Sequence, residues 1–311
     1  MIAKVLQSGI TTTIQDGGRI GYRAQGMPQS GAVDAVSFQL ANWLVGNRLS
    51  AAVLEIPMGN LELIFQEACQ IGFTGGIGEL LVNDTYTDFN RTITIVPGDR
   101  VQLGALHTGN YAYLSISGGW AGHEFLSSVS THLASGVGGL KRKLEAGDEL
   151  EVSSGQRSLI PERKVPEHLQ VKIDLERPIR FIAGPEFDRL SSNAQRALIQ
   201  DNFHISSQSN RMGIRLTSHE GLILRPQKAM ISCPVTLGTI QLPPNGQPII
   251  LLNDSQSIGG YARIGKIIDV DLGYLVQQPA GTAISLKETT LENALRLLKH
   301  QQAKLDSFVS V

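Results

Sequence analysis

The stretch Thr92-Ile93-Thr94-Ile95-Val96, closed by Pro97-Gly98-Asp99, decides the fold class of this chain. Apolar and polar residues alternate with the period of two that turns one face of a strand toward a core, and the Pro-Gly-Asp triplet then favours a turn. A strand-like run followed by turn residues returns at Tyr111–Ile116, before Ser117-Gly118-Gly119, and again at Ile179–Ala183. We therefore expect a mainly β protein, a β-rich α+β fold with a few short helices.

The chain has 311 residues, which suits two domains of roughly 150 residues each. A polar, proline-bearing stretch over Ser153–Gln170 separates two strand-rich halves. We expect an N-terminal unit over 1–155, a linker over 156–172 and a C-terminal unit over 173–311. The second half carries further strand-like runs, at Gly221–Leu224 and Pro248–Leu252.

Three segments have helical instead of strand-like spacing. Between Ala32 and Val45, apolar residues recur every three or four positions, and Gly46 follows as a stop. Gly184-Pro185-Glu186 can open a helix that runs to about Gln200, and Leu291–Lys304 has the apolar stripe of an amphipathic helix that closes the second unit.

Composition excludes several classes of function. With 27 Lys+Arg against 28 Asp+Glu, the chain has no excess charge that would attract a nucleic acid. The N-terminus lacks a secretory signal, and no apolar run approaches the roughly 18 residues of a membrane-spanning helix, so we expect a cytoplasmic protein. Cys69 and Cys233 are expected to be inert core thiols, with a reactive thiol as the alternative. The seven histidines are scattered without metal-ligand spacing, so no metal site is expected.

One stretch has the spacing of a phosphate-binding loop. Gly260 and Gly265-Lys266 stand at the right distance, but Ile267 occupies the position of the hydroxyl residue that would hold Mg²⁺. The next residues, Ile268–Leu272, alternate like a strand, whereas a phosphate loop must open a helix. We therefore do not expect a nucleotide site there.

Polar side chains gather among glycines in four places. Glycine permits close approach of the backbone to a ligand, and Arg, Gln and Ser side chains can bind a carboxylate, an amide or a developing oxyanion. The same residues are equally suited to turns and caps that bond their own backbone. The four places are Gln15–Gly21 with Gly26–Asp34, Ser127–Thr131 with Gly138-Gly139, Ser209–Leu216, and Gly238–Tyr261.

Motifs in these places, in order along nearly the whole chain, resemble one family. It is the family named for allophanate hydrolase subunit 2, also called the KipA or biotin-dependent carboxyltransferase family, and the resemblance is strongest to the branch that supplies the C subunit of bacterial 5-oxoprolinase. The matching motifs are Thr13–Gly21, Ser30–Asp34, Leu40–Asn42 with Leu44–Asn47, Leu54–Ile56, Ser130-Thr131, Gly147-Asp148, Ser209–Gly213, Ile240–Pro243, Gly246–Ile249 and Gly259–Tyr261.

The resemblance implies two cyclophilin-like β-barrel units and a role inside a heteromeric assembly. In the 5-oxoprolinase case, three different polypeptides couple ATP hydrolysis to opening of 5-oxo-L-proline, which gives L-glutamate. The implied partners are a KipI-like polypeptide and a LamB/YcsF-like polypeptide, and this chain alone is expected to be inactive. ATP, with Mg²⁺ as an option, is implied for the complex, whereas biotin is implied only by an alternative.

That alternative is the carboxyltransferase component of a urea carboxylase-type or allophanate hydrolase-type system. The chain has no Met-Lys-Met biotin attachment site and no recognisable ATP-grasp segment, so either activity needs other polypeptides. A third interpretation is non-enzymatic, a KipA-like regulatory protein that binds a kinase-inhibitor partner.

Both enzymatic interpretations place growing negative charge on a carbonyl or phosphoryl oxygen, where positioned donors stabilise it. We hypothesise that two arginines supply charge-assisted donors, Arg211 and Arg19, and that three glutamines orient the planar substrate, Gln15, Gln241 and Gln256. Asp34 or Asp254 would accept a proton or hold an arginine in place. Tyr261 is interpreted as a proton relay or as a packed barrel tyrosine. The implied catalytic residues are Arg211, Asp34, Asp254 and Tyr261, and the implied substrate-binding residues are Gln15, Arg19, Ser130, Gln241, Gln247, Gln256, Gly259 and Gly260.

The sequence departs from the family pattern at two of these motifs. At the first, Ile214 stands where such sequences usually have a tyrosine. Where such sequences usually read Asp-Arg-Gln-Thr-Thr-Gly-Gly-Tyr-Pro, this chain has Ser255, Ile258 and Ala262 in place of the arginine, the second threonine and the proline. Arg263 is the candidate replacement for the missing arginine.

Overall fold

The computed structural model describes residues 1–153, 159–225 and 230–309, and they form two compact units. The first unit comprises Met1–Ile20 and Ser30–Ile173, and the second comprises Gly21–Gln29 and Asp174–Val311. The chain therefore contributes a short early segment to the second unit and then returns to the first.

The segment expected to be a linker differs from that expectation. Residues 156–158 lie outside the described residues, but Val165 is fully buried and its N–H donates to Asn90 O at 2.8 Å. The Gln70 side chain exchanges two hydrogen bonds with the backbone of Ile160, at 2.8 and 2.9 Å. Residues 159–173 thus belong to the first unit, because the backbone of this polar stretch is bonded to that unit's strands and loops.

The first unit is a strongly curled sheet. In the described part of the chain its strands are β1 (Ala3–Gln7), β2 (Thr13–Gln15), β3 (Val53–Pro57), β4 (Gly59–Phe65), β5 (Cys69–Val82), β6 (Thr85–Tyr86), β7 (Thr92–Ile95), β8 (Arg100–Ile116) and β9 (Glu149–Leu150). Strand β8 pairs with β3, β4 and β5, so the sheet runs β2–β3–β8–β4–β1–β9, and β5 also pairs with β6 and β7.

One helix, α1 (Ala35–Leu44), packs on this sheet, which confirms the helix expected between Ala32 and Val45. It lies very close to strand β5 at Gly72. A Cβ atom at Gly72 would stand 2.8 Å from Leu44 Cβ, so a side chain there would push the helix away.

The second unit is a closed barrel. The described elements are β10 (Ile179–Ala183), α2 (Ser192–Gln200), β11 (Asn202–Ile205), β12 (Gly213–Thr217), β13 (Cys233–Pro234), β14 (Thr239–Leu242), β15 (Ile249–Leu251), β16 (Ile258–Gly259), β17 (Ala262–Ile267), α3 (Asp269–Val276), β18 (Ala283–Glu288) and α4 (Leu291–Val309). The barrel strands run β10–β17–β14–β15–β12–β11–β18, and β18 closes the barrel by pairing in parallel with β10. A separate two-stranded ribbon is formed by β13 and β16.

The expectation of a mainly β protein with two barrel-like units and few helices is confirmed, the first unit being a curled half-barrel. The terminal helix is confirmed as α4, which belongs to the second unit. The helix expected after Gly184 ends at Gln200 as predicted. Its start was wrong, because α2 begins at Ser192, behind the cap that Ser191 Oγ makes by accepting from Ala194 N.

Two strand expectations were wrong. Gly221–Leu224 forms no strand, because Gly221 is left-handed at φ 68° and only Leu224 makes a bridge, to Leu190. Residues Ile268–Leu272 enter helix α3. Their alternation is also compatible with a helix, since the buried residues Ile268, Leu272, Leu275 and Val276 follow helical spacing.

The two cysteines differ in burial. Cys69 is buried in the core of the first unit, as expected. Cys233 is only half-buried and its thiol contacts Ile231 O at 3.3 Å, so the expectation of a core thiol was wrong there. No helix among the described residues has the length and apolar composition needed to cross a membrane.

Candidate functional site

In the first unit, the Asp16 carboxylate holds two loops together. Its Oδ1 accepts from Gly18 N at 2.8 Å and from Ser128 Oγ at 2.6 Å, and its Oδ2 accepts from Val129 N at 2.8 Å. Ser130 Oγ donates to Asp16 Oδ1 at 2.5 Å and accepts from Asp16 N at 3.0 Å. Ser130, one of the predicted substrate-binding residues, is therefore a buried part of this loop network.

Arg19 lies inside the same network. The residue is 1% exposed; its Nε donates to Phe125 O at 3.1 Å, its Nη2 donates to Ser130 O, and its guanidinium lies 5.8 Å from the Phe125 ring centroid. Gly138 makes room for it, because a Cβ there would stand 2.4 Å from Arg19 Nη2. These contacts make Arg19 a brace between loops, and its contact with a substrate stays a prediction.

Gln15 is fully buried in strand β2. Its Nε2 donates to Thr13 Oγ1 at 2.9 Å and to Thr131 O at 3.0 Å, so the amide links the strand to the loop that carries Ser130. Gln15, Arg19 and Ser130 are thus brought together by the fold, as parts of one buried network. The proposed role of Gln15 in orienting a substrate stays a prediction.

Asp34 caps helix α1. Its Oδ1 accepts from Ser37 N at 3.2 Å and its Oδ2 accepts from Ser37 Oγ at 2.6 Å, the arrangement of an N-terminal cap. Asp34 is 3% exposed, so a role as proton acceptor would require access that its burial restricts. The role of Asp34 as a proton acceptor stays a prediction, in addition to its observed role as the helix cap.

A buried carboxylate that sequence reasoning did not single out supports this cap. Glu55 Oε2 accepts from Val33 N at 2.8 Å and from Tyr113 Oη at 3.0 Å, and Tyr113 Oη in turn accepts from Asp34 N at 2.9 Å. Burial raises the pKa of the Tyr113 phenol well above its ordinary value, and the carboxylates of Glu55 and Asp34 raise it further. The sequence signal was a charged residue inside the apolar strand Val53–Pro57.

In the second unit, Arg211 and Asp254 form a two-pronged ion pair. Arg211 Nε lies 2.9 Å from Asp254 Oδ2, and Arg211 Nη2 lies 3.1 Å from Asp254 Oδ1. The two side chains are only 10% and 8% exposed, and Asp254 N donates to Arg211 O at 2.9 Å. Asp254 therefore holds the arginine in one plane, which is one of the two roles that the sequence left open for it. A fixed guanidinium is suited to bind a carbonyl or carboxylate oxygen.

Two glutamines lie next in this loop. Gln256 Nε2 donates to Gln241 Oε1 at 3.3 Å, which joins the loop to strand β14. Gly259 leaves room for this pair, since a Cβ there would stand 2.3 Å from Gln241 Nε2. Within the described residues, the buried Gln241 Nε2 and Ser255 Oγ have no hydrogen-bond partner.

The remaining predicted residues of the loop lie on the β13–β16 ribbon or directly after it. Gly259 belongs to β16, Gly260 follows it, and Tyr261 is 45% exposed. The interpretation of Tyr261 as a packed barrel tyrosine was therefore wrong, and its role as a proton relay stays a prediction. Ile258 is 56% exposed on the same ribbon, whereas Ala262 is buried in β17.

Two further residues serve elsewhere. The side chain of Gln247, a predicted substrate-binding residue, bonds both backbone groups of Ser218, at 2.8 and 3.2 Å. Arg263, the candidate replacement for the missing arginine, is committed to Glu186 by contacts of 2.7 and 2.9 Å. Hydrogen bonding from Arg263 lowers the pKa of the Glu186 carboxyl.

Arg23 is a residue of this loop system that sequence reasoning missed. It belongs to the segment Gly21–Gln29 of the second unit, and its Nη2 donates to Gln256 O at 2.9 Å and to Val235 O at 3.0 Å. Both acceptors are backbone carbonyls, so no pattern of side chains in the sequence could have indicated the pairing.

The stretch with phosphate-loop spacing does not fit a nucleotide. Ala262–Ile267 is strand β17, and Lys266 Nζ is bonded to Asp269 Oδ1 at 2.5 Å and to Ile267 O at 3.3 Å. A helix does follow, contrary to the expected strand, but the backbone before it is extended and cannot wrap a phosphate. In the described part of the chain, no three His, Cys, Asp or Glu side chains come together as a metal site.

Comparison with known proteins identifies the family of this chain. Residues 25–288 match the family model described as the carboxyltransferase domain, subdomain A and B. The chain belongs to this carboxyltransferase domain family. The matched range includes most of both units and contains Arg211 and Asp254.

Two bacterial relatives are similar over nearly the full chain. The C subunit of 5-oxoprolinase from Escherichia coli (strain K12) is 36% identical over 302 residues, which cover 96% of this chain and 95% of that protein. The corresponding C subunit of 5-oxoprolinase from Haemophilus influenzae is 32% identical over 297 residues, covering 94% and 93%.

Solved structures give the same fold. The crystal structure of the Kluyveromyces lactis urea carboxylase superposes with a TM-score of 0.93 at 28% identity, covering 99% of this chain and 29% of that chain. The K. lactis urea amidolyase gives 0.91 at 28% identity, covering 99% of this chain and 20% of that one. The chain thus corresponds to one part of these much longer fungal proteins.

Proposed function

We propose that this chain is one component of an ATP-dependent 5-oxoprolinase, a hydrolase that opens 5-oxo-L-proline to L-glutamate. The observation that carries the proposal is the 36% identity to the C subunit of a 5-oxoprolinase over 95% of that protein's length. Partial coverage, as with the fungal relatives, would have left the activity to other domains. We further propose that the chain acts in the cytoplasm and is inactive alone.

The partners follow from the same proposal. The chain would assemble with a KipI-like polypeptide and a LamB/YcsF-like polypeptide, and ATP, with Mg²⁺ as an option, would act at the level of the complex. We assign ATP binding to no residue of this chain, because the phosphate-loop-like stretch forms the extended strand β17.

The chemistry of the second unit is compatible with an amide substrate. Opening the lactam breaks its ring C–N bond, adds hydroxyl from water to the carbonyl carbon and leaves the proton on nitrogen. Negative charge grows on the carbonyl oxygen meanwhile, and positioned donors there are typically worth about 3–4 kcal/mol each. We propose that Arg211, held by Asp254, supplies such a donor and that Gln241 and Gln256 orient the planar amide.

A second candidate is carboxyl transfer from carboxybiotin, favoured by the TM-score of 0.93 to a urea carboxylase. It makes the same demand on the donors, because charge again grows on a carboxyl oxygen during transfer. It differs in needing biotin on another polypeptide. A KipA-like regulatory role, in which the chain binds a kinase-inhibitor partner, would require neither 5-oxoproline nor urea.

The test is reconstitution with the two companion polypeptides. The mixture should form glutamate and ADP from 5-oxoproline and ATP, and omission of this chain should abolish both products. Parallel reactions with urea, bicarbonate, ATP and a biotin carboxylase, with and without added biotinylated carrier protein and with avidin as the blocking control, test carboxyl transfer. Glutamate formed without this chain would overturn the proposal, and biotin-dependent product from urea would favour the second candidate.

A further inference from the structure

The β13–β16 ribbon is a small and exposed structure beside the candidate site. It has two residue pairs, Cys233 with Gly259 and Pro234 with Ile258, and Ile258 is 56% exposed. A two-stranded ribbon of this size is at best marginally stable on its own. Contacts at its base must therefore hold it in place.

Arg23 makes such a contact. Its Nη2 donates to Val235 O, directly after β13, and to Gln256 O, shortly before β16, at 3.0 and 2.9 Å. Val235 N also donates to Ser257 O at 3.0 Å, so the two strands are joined at the same level. One NH₂ group of a cationic side chain thus fastens both strands where the ribbon leaves the barrel.

The position of Arg23 is itself fixed. It opens a 3₁₀ turn, Arg23–Gln25, that ends in left-handed Gly26 at φ 84°, and Gly26 N donates to Arg23 O. Burial lowers the pKa of the guanidinium, which nevertheless stays protonated at any physiological pH. Both hydrogen bonds are therefore charge-assisted.

The same loop carries two residues of the candidate site, Asp254 and Gln256. The Gln256 backbone is held by Arg23 while its side chain is bonded to Gln241, and Asp254, two residues earlier, is bonded to Arg211. Loss of the Arg23 contact would release Gln256 O and, through the chain, the segment between Asp254 and Tyr261.

We propose that Arg23 is a positioning residue of the enzyme, which acts by fixing the Asp254–Tyr261 segment and not by touching the substrate. The part of this proposal that concerns turnover rests on the proposed function. The part that concerns the loop does not, because it follows from contacts within the second unit.

The experiment compares Arg23→Ala and Arg23→Lys in the full chain. Arg196→Ala is the matched control, since Arg196 is an exposed arginine of the same unit whose Nη2 is bonded to Asn193 Oδ1. Amide hydrogen exchange is followed by mass spectrometry on peptides covering 233–236 and 254–261. We expect Arg23→Ala to raise the exchange rate in these peptides by about tenfold or more and Arg23→Lys to raise it by less. The control variant should leave the exchange rate unchanged.

Turnover is then measured in the reconstituted complex. Arg23→Ala should lower kcat by about tenfold or more with a much smaller change in KM, and guanidinium ion added to that variant should restore part of kcat. Exchange in the first-unit strand Arg100–Ile116 should stay unchanged, which separates a local effect from loss of the fold.

Unchanged exchange at 233–236 and 254–261 in Arg23→Ala would overturn the proposal, and so would equal acceleration throughout the chain in both variants. If Arg23→Ala does not fold, Arg23→Lys decides by the same criteria. A raised KM with an unchanged kcat would overturn the positioning role. A wild-type complex without 5-oxoprolinase activity would refute the proposed function, while the exchange result would still decide the role of Arg23.

Discussion

Removal of Asp254 tests whether this carboxylate and Arg211 act as one unit. Asp254→Ala leaves a guanidinium that is 10% exposed without the two contacts, 2.9 and 3.1 Å long, that now neutralise it. Hydrogen bonds to charged groups contribute about 1.5–3 kcal/mol each. Removing one partner of a buried pair costs about 3–5 kcal/mol, because the other charge stays buried.

We therefore expect Asp254→Ala and Arg211→Ala each to lower the free energy of unfolding by about 3 kcal/mol. The double variant removes both charges, so it should cost about 3–4 kcal/mol instead of the sum. The resulting coupling, about 2–3 kcal/mol, is at the upper end of what contacting residues give.

Turnover of the reconstituted complex should follow the same pattern. Arg211→Ala should lower kcat by at least about tenfold, and the double variant should be no slower than the slower single variant. Asp271→Asn is the matched control, because Asp271 is a fully buried, arginine-paired carboxylate of the same unit outside the candidate site. It should lower stability and leave kcat unchanged at temperatures where the protein is folded.

The assays are urea denaturation followed by circular dichroism and coupled measurement of ADP and glutamate. Strictly additive effects on stability would show that the two side chains do not depend on each other. Wild-type turnover in a correctly assembled Arg211→Ala complex would refute the proposed donor role.

Three further predictions concern the two units separately. The Asp271 carboxylate accepts hydrogen bonds from Arg180 and Arg177. Burial raises the pKa of Asp271, but these hydrogen bonds outweigh burial, so the folded-state pKa is lower than the unfolded one. The stabilisation from this carboxylate is therefore complete above its unfolded pKa, about 3.9, and is lost as pH falls through the lower folded pKa. Asp271→Asn should lower the free energy of unfolding at pH 7 by about 2–4 kcal/mol, since both arginines are partly exposed, and should flatten its dependence on pH below about 5; an unchanged pH profile in urea titrations would contradict this. Gly138→Ala should destabilise the protein by more than about 4 kcal/mol, because the added Cβ would stand 1.9 Å from Ser130 O. Gly147 is also left-handed, but a Cβ there would meet no atom within 4 Å, so Gly147→Ala should cost only about 1–2 kcal/mol in the same assay. Equal losses in the two variants would show that the clash at Gly138 is relieved. Tyr113→Phe removes the hydroxyl that accepts from Asp34 N and donates to Glu55 Oε2, and should cost about 1–3 kcal/mol in thermal or urea unfolding, against no measurable loss for exposed Tyr86→Phe.

The strand content was predictable because local rules govern it. The alternation at Thr92–Ile95 and the turn residues after it depend on neighbours in sequence, and helix α1 was predictable from its apolar spacing. The α3 segment was not, because five residues with alternating polarity fit a strand and one face of a helix equally well. The stretch 159–173 was misjudged because polar composition does not reveal that a backbone pairs with Gln70 and Asn90.

The sequence was sufficient to predict many residues of the candidate site, but not which atoms they contact. Arg211, Asp254, Gln241 and Gln256 were among the residues predicted from the sequence, and the fold joins Arg211 to Asp254 and Gln256 to Gln241. The sequence offered no means to separate them from Gln15 and Ser130, whose bonds go to loops of their own unit. Arg23 escaped prediction because it binds carbonyl groups, and every residue of the chain has one.

The division of the chain between the units limits how the protein can be cut. Gly21–Gln29 belongs to the second unit, yet the residues on both sides of it belong to the first. A fragment that begins at Asp174 would lack Arg23, and the complementary fragment would carry the detached piece. A single cleavage, truncation or gene fusion point therefore cannot separate the two units. Any transfer of the second unit to another protein must include the segment Gly21–Gln29.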